Sequence, residues 1–100
     1  LIEKENIPEA VFASSDEVAI GAMNAFIDNS IKVPEEVKIA GYDDIKIASM
    51  VRPSLTTIKT PIYDIGAVSA RMIIKMINKE QLDSKHIILP YTLMNRQSTN

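Results

Sequence analysis

Asp43 and Asp44 stand side by side in Gly41-Tyr42-Asp43-Asp44, and they are the first place to look for chemistry in this chain. Two carboxylates can in principle serve as acid and base, but neighbouring residues at one strand end point in different directions. A single carboxylate there can still accept hydrogen bonds from two hydroxyls, which suits a sugar-like ligand. Asp44 reads as the residue that caps or turns the loop. A second polar cluster, Ser14-Ser15-Asp16-Glu17, closes the apolar run Ala10-Val11-Phe12-Ala13. Ser14 and Glu17 fit a capping box, and Asp16 is favourable at a helix N-terminus on electrostatic grounds alone. Arg52 offers a guanidinium able to grip a phosphate bidentately. His86 is the only histidine and there is no cysteine, so neither a metal site nor a nucleophilic triad can be assembled. No glycine-rich phosphate loop is present, and no cofactor is expected.

The elements that must position these groups follow from pattern. Ala10–Ala13 is short and unalternating, as a buried strand is, and it feeds a helix over about residues 16 to 29. Val18, Ala19, Ala22, Met23 and Phe26 recur along one side of that helix until Asn29-Ser30 stops it. Pro34-Glu35-Glu36 turns the chain into a second strand, Val37–Ala40, and Gly41 opens a loop running from Tyr42 to Arg52. Leu55–Ile58, rich in β-branched residues, predicts a third strand. Thr60 as N-cap and Pro61 at the first helical position begin a long helix that ends near Lys79. Ile87–Leu89 and Tyr91–Arg96 read as two strand segments broken at Pro90. Strands alternating with helices predict an α/β fold with a mainly parallel sheet flanked by helices. In such sheets ligands bind beyond the carboxyl ends of the strands, which singles out Ser14 to Asp16 and Tyr42 to Asp44.

Composition narrows the function classes. One hundred residues suffice for one small domain. The opening Leu1-Ile2-Glu3-Lys4-Glu5-Asn6 lacks an initiator methionine and reads like the last turn of a helix begun upstream, so the chain is expected to be a piece of a longer protein. Apolar residues make up 46% and charged residues 24%, the balance of an ordinary globular domain, with no apolar run of the roughly 18 residues a membrane span needs. A net charge of −2, without a Lys/Arg cluster, gives this stretch nothing with which to neutralise a run of DNA phosphates. The lack of cysteine fits a reducing cytosol.

Four ordered blocks carry a resemblance. Ala13-Ser14-Ser15-Asp16-Glu17-Val18-Ala19-Ile20-Gly21-Ala22, Val33-Pro34-Glu35-Glu36-Val37, Gly41-Tyr42-Asp43-Asp44 and Pro53-Ser54-Leu55-Thr56-Thr57-Ile58 resemble LacI/GalR-type bacterial transcription regulators in order and spacing. The likeness runs from about Pro8 to Arg96-Gln97-Ser98-Thr99. Met50-Val51-Arg52-Pro53 and Tyr63-Asp64-Ile65-Gly66-Ala67-Val68 are also similar to the catabolite control protein branch. In Tyr42-Asp43-Asp44-Ile45-Lys46 the chain departs from the Phe-Asp-Asn-Thr-Arg usual there.

The resemblance implies a periplasmic-binding-protein-like core of two lobes joined by crossings near Thr60-Pro61 and Pro90-Tyr91. Residues 1 to 59 and 91 to 100 would belong to the C-terminal lobe, and residues 61 to 90 to the N-terminal one. It implies effector contacts, to a sugar or sugar phosphate, at Asp43, Ser15, Asp16 and Ile62. Arg52 falls in the segment that meets the serine-phosphorylated phosphocarrier HPr in relatives, while Ile20, Met23, Ala48, Met50 and Val51 fall at the homodimer interface. Each has a plainer reading: loop capping for Asp43, helix capping for Ser15 and Asp16, core packing for Ile62, core burial for Ile20, Met23, Ala48, Met50 and Val51, and an ordinary surface residue for Arg52. The implied function is the effector-binding and dimerisation region of a cytoplasmic, non-enzymatic regulator that meets its operator DNA through a domain outside this chain. A sugar-binding protein of a transporter, outside the cytoplasm, is the alternative.

Overall fold

The computed structural model describes residues 6–100, so the helical reading of Leu1 to Glu5 lies outside the described residues. The chain divides into two compact units: one runs to Lys59 and resumes at Thr92–Asn100, and the other is Thr60–Tyr91.

The larger unit holds β1 (Ala10–Phe12), α1 (Asp16–Asp28), β2 (Lys38–Asp43), β3 (Thr56–Lys59) and β4 (Thr92–Met94). The sheet order is β1-β2-β3-β4; β1, β2 and β3 are parallel and β4 runs antiparallel to β3. Residues alternate across the sheet, so Ile39 and Gly41 are buried while Lys38 and Tyr42 are exposed. α1 covers the buried face with Ala19, Met23 and Phe26, which pack with Ile31, Val33, Val37, Ile39, Ala48 and Leu55 into one core. Burying a side chain the size of Met23 or Phe26 contributes about 1.5–3 kcal/mol. On the opposite face Phe12 and Leu93 remain 69% and 59% exposed.

α1 starts and stops for identifiable reasons. Ser15, in extended backbone, is its N-cap, and its hydroxyl accepts from the Val18 N–H at 3.3 Å. This corrects the expected capping box: the cap lies one residue later than Ser14, and Val18 at the third helical position has no carboxylate to return the bond. At the other end Ser30 turns left-handed, φ 62°. Its N–H donates to the Ile27 carbonyl at 3.0 Å and the Ile31 N–H reaches the Phe26 carbonyl at 2.9 Å, a Schellman ending with Phe26 and Ile31 both buried.

β2 runs further than expected. Gly41, Tyr42 and Asp43 pair with Thr57, Ile58 and Lys59, so the chain stays in the sheet where a loop was predicted. Gly41 is there for space: a Cβ would collide with the Asp16 carboxylate and with Leu55. The loop beyond holds a 3₁₀ turn, Lys46–Ser49, that buries Ala48. The C-terminus is bolted beneath the sheet: the Ser98 hydroxyl donates to the Ile39 carbonyl at 2.6 Å and accepts from the Thr56 N–H at 2.8 Å.

The smaller unit contains α2 (Ile62–Ile77). It begins one residue later than predicted, with Pro61 in the cap position and no side-chain cap from Thr60. The helix buries none of its residues, and Ile62, Ile74, Met76 and Ile77 stay exposed. It too ends in a Schellman motif, with Lys79 left-handed and the Glu80 N–H on the Lys75 carbonyl at 2.8 Å. Ile87–Leu89, expected as a strand, forms none. A strand needs a neighbour to take its backbone hydrogen bonds, and no other strand lies in this unit among the described residues.

Candidate functional site

The carboxyl ends of β1, β2 and β3 lie together because the three strands are parallel. β1 delivers Ser14, Ser15 and Asp16 by way of the α1 cap, and β2 delivers Tyr42, Asp43 and Asp44. Phe12, Ala13, Ser14 and Tyr42 line an open recess of about 420 Å³ between these two strand ends. That volume lies in the range of small-ligand sites, and its aromatic walls offer flat apolar surface to a ring. Phe12 was not among the residues singled out for a ligand, although it stands at the end of a strand, whereas Ser14 lay within the Ser14 to Asp16 segment singled out there.

Asp43 and Asp44 both have left-handed backbone, φ 106° and 57°. Aspartate tolerates such geometry better than most residues, though at a cost the surroundings must over-determine. The surroundings do so at three points. The Asp44 N–H donates to Thr57 Oγ1 at 3.3 Å, the Ile45 N–H donates to Asp16 Oδ2 at 2.8 Å, and Arg96 Nη1 lies 2.8 Å from Asp44 Oδ1. Thr57 Oγ1 in turn donates to Asp16 Oδ1 at 2.5 Å. Asp44, Asp16, Thr57 and Arg96 are therefore engaged with one another or with the backbone. Asp43 is half-buried, and among the described residues its carboxylate has no hydrogen-bond or ion-pair partner.

The expected site residues separate on these facts. Asp16 is 1% exposed, and its two carboxylate oxygens accept from the Ile45 N–H and the Thr57 hydroxyl. Ser15 spends its hydroxyl as an acceptor on α1. Ile62 is exposed in the smaller unit. Arg52 is exposed and donates from Nη1 to the Ser49 and Val51 carbonyls at 3.0 and 2.8 Å. Among the residues expected at a subunit interface, Met23 and Ala48 are 1% and 0% exposed within this unit's own core, so neither can touch another subunit directly. Their apolar character is explained by packing. Ile20 and Val51 are half-buried and Met50 is 71% exposed. Among the described residues no group of three or more His, Asp or Glu side chains is placed to hold a metal ion.

Residues 1–99 match the family model described as a periplasmic binding protein-like domain. The chain belongs to that family, in its LacI/GalR regulator group. It is 46% identical over 98 residues to the HTH-type transcriptional regulator RegA of Clostridium acetobutylicum, covering 98% of this chain and 29% of that protein. The solved transcription regulator CcpA of Lactococcus lactis superposes with a TM-score of 0.87 at 32% identity, over 96% of this chain and 35% of that one. A LacI family transcriptional regulator from Lactobacillus casei, solved with bound sucrose, superposes with a TM-score of 0.77 at 30% identity, over 97% and 35% of the two chains. This LacI/GalR chain thus spans about a third of the length of the relatives it matches. Its mixed, mostly parallel sheet is that of the periplasmic-binding-protein-like fold, and the predominance of regulators among its relatives disfavours the transporter reading. No helix among the described residues is long and apolar enough to cross a membrane.

Proposed function

We propose that this chain is part of the effector-binding and dimerisation core of a cytoplasmic, non-enzymatic DNA-binding regulator whose effector is a sugar or sugar phosphate. The observation that carries the reading is the unpartnered Asp43 carboxylate, next in sequence to Tyr42 of the aromatic recess. A carboxylate accepts from two hydroxyls at once, and Phe12 and Tyr42 offer flat apolar surface to a ring. The sucrose held by the Lactobacillus casei relative belongs to that chemistry.

In this reading the larger unit is part of the C-terminal lobe, the smaller unit is part of the N-terminal lobe, and Ile62 is an apolar contact for the effector. Met50, Val51 and Ile20 form the part of the subunit interface that lies on this chain. Arg52, an exposed residue, is the contact for serine-phosphorylated HPr. Effector binding shifts the population between two lobe arrangements, and the dimer passes that shift to DNA-binding heads outside this chain.

The test uses the full-length protein on an operator fragment, with sucrose, cellobiose and glucose 6-phosphate as added ligands. Operator affinity changes with at least one of them in the wild type and with none in Asp43→Asn. Equal responses in both proteins would remove Asp43 from the site.

A further inference from the structure

We infer that Arg96 is a positioning residue for effector recognition: by holding Asp44 it fixes the left-handed turn that presents Asp43. The inference rests on the reading of Asp43 as the effector contact.

Two successive left-handed non-glycine residues do not persist without support. Two of the three anchors, Thr57 Oγ1 and Asp16 Oδ2, grip backbone N–H groups of the turn. Among the described residues only Arg96 grips a side chain of the turn, and it does so in a largely dry setting, with Arg96 and Asp44 side chains 17% and 14% exposed. Charge-assisted hydrogen bonds between partly desolvated groups are among the stronger ones.

Arg96 is itself well held. Its N–H donates to Thr56 Oγ1 at 2.8 Å, and Nη1 also donates to the Leu55 carbonyl at 3.0 Å. Ser98, two residues on, is fastened to β2 and β3. The C-terminal segment, fifty-two residues from Asp44 in sequence, thus acts as a rigid mount for one guanidinium. Without it Asp44 keeps a charge in a site that excludes most water, and the turn relaxes toward solvent and carries Asp43 with it.

The experiment uses full-length protein and two readouts. Backbone hydrogen exchange at Asp44 and Ile45 reports on the turn without any ligand, and calorimetric titration with sucrose and glucose 6-phosphate reports on recognition. In Arg96→Met, exchange at Asp44 and Ile45 rises about tenfold while Ile39 to Gly41 stay as in the wild type, and sugar affinity falls about tenfold. Arg96→Lys recovers part of both. Asp44→Asn keeps size and removes charge, so it carries the same prediction if Arg96→Met does not fold. Unchanged exchange at Asp44 and Ile45 in both variants overturns the role of Arg96, as does a rise shared equally with β2, which signals general loosening. A wild type that binds neither sugar while the turn still loosens in Arg96→Met overturns the effector reading instead.

Discussion

The Thr57 hydroxyl on β3 donates to the Asp16 carboxylate at the head of α1 over 2.5 Å, and both residues are buried. The same carboxylate holds the Ile45 N–H, and Gly41 has no side chain because that carboxylate fills the space a Cβ needs. One acidic side chain therefore ties helix, two strands and the turn bearing Asp43.

Replacing Asp16 by alanine leaves the Thr57 hydroxyl and the Ile45 N–H without their partner in a buried setting. A loss of about 2–4 kcal/mol in unfolding free energy is expected, measured by denaturant titration of the full-length protein. Asp16→Asn retains an acceptor and costs less. Equal, small effects in both would show that the carboxylate is not the tie described.

Gly41→Ala and Gly21→Ala should move stability in opposite directions. At Gly41 the new methyl meets Asp16 and Leu55, an overpacking expected to cost about 1–3 kcal/mol. At Gly21, in the exposed middle of α1, nothing lies within 4 Å, and alanine is worth about 0.5–1 kcal/mol of helix propensity. Thermal unfolding of the two variants side by side checks the pair.

Much of this was legible in the residues, and the exceptions share a cause. The α1 face, the parallel strands and the importance of Ser14 to Asp16 and Tyr42 to Asp44 follow from local periodicity and strand ends. Gly41 looked like a loop opener because a glycine that makes room for a carboxylate 25 residues earlier leaves no local signal. The Arg96–Asp44 pair and the Asp16–Thr57 bond were hidden for the same reason: each joins residues distant in sequence. The resemblance pointed Met23 and Ala48 to a subunit surface, and their apolar character alone could not separate that from the core in which they are buried. Ile87–Leu89 has strand composition, but pairing depends on a neighbour that composition does not supply.

Ser30 adopts φ 62° at the end of α1, where glycine carries no steric penalty. Ser30→Gly is expected to raise stability by about 0.5–1 kcal/mol, against the usual direction of substitutions to glycine. A fall in melting temperature would contradict the Schellman ending.

Met50 and Met23 separate the proposed subunit interface from the core. Met50→Asp places a charge on an exposed apolar position and should weaken subunit association about tenfold or more in analytical ultracentrifugation, with little change in monomer folding. Met23→Ala should cost about 2–5 kcal/mol of stability through the cavity it leaves. The reverse pattern would return Met23 to the interface and remove Met50 from it.

Calorimetric titration of the full-length protein with sucrose, cellobiose and glucose 6-phosphate, comparing wild type with Asp43→Asn, tests the central claim most directly. Asparagine tolerates the left-handed backbone at φ 106°, so the variant isolates the charge. The account predicts that whichever sugar the wild type binds is held about tenfold to a hundredfold more weakly by Asp43→Asn, at unchanged melting temperature. Equal affinity in the two proteins would contradict it.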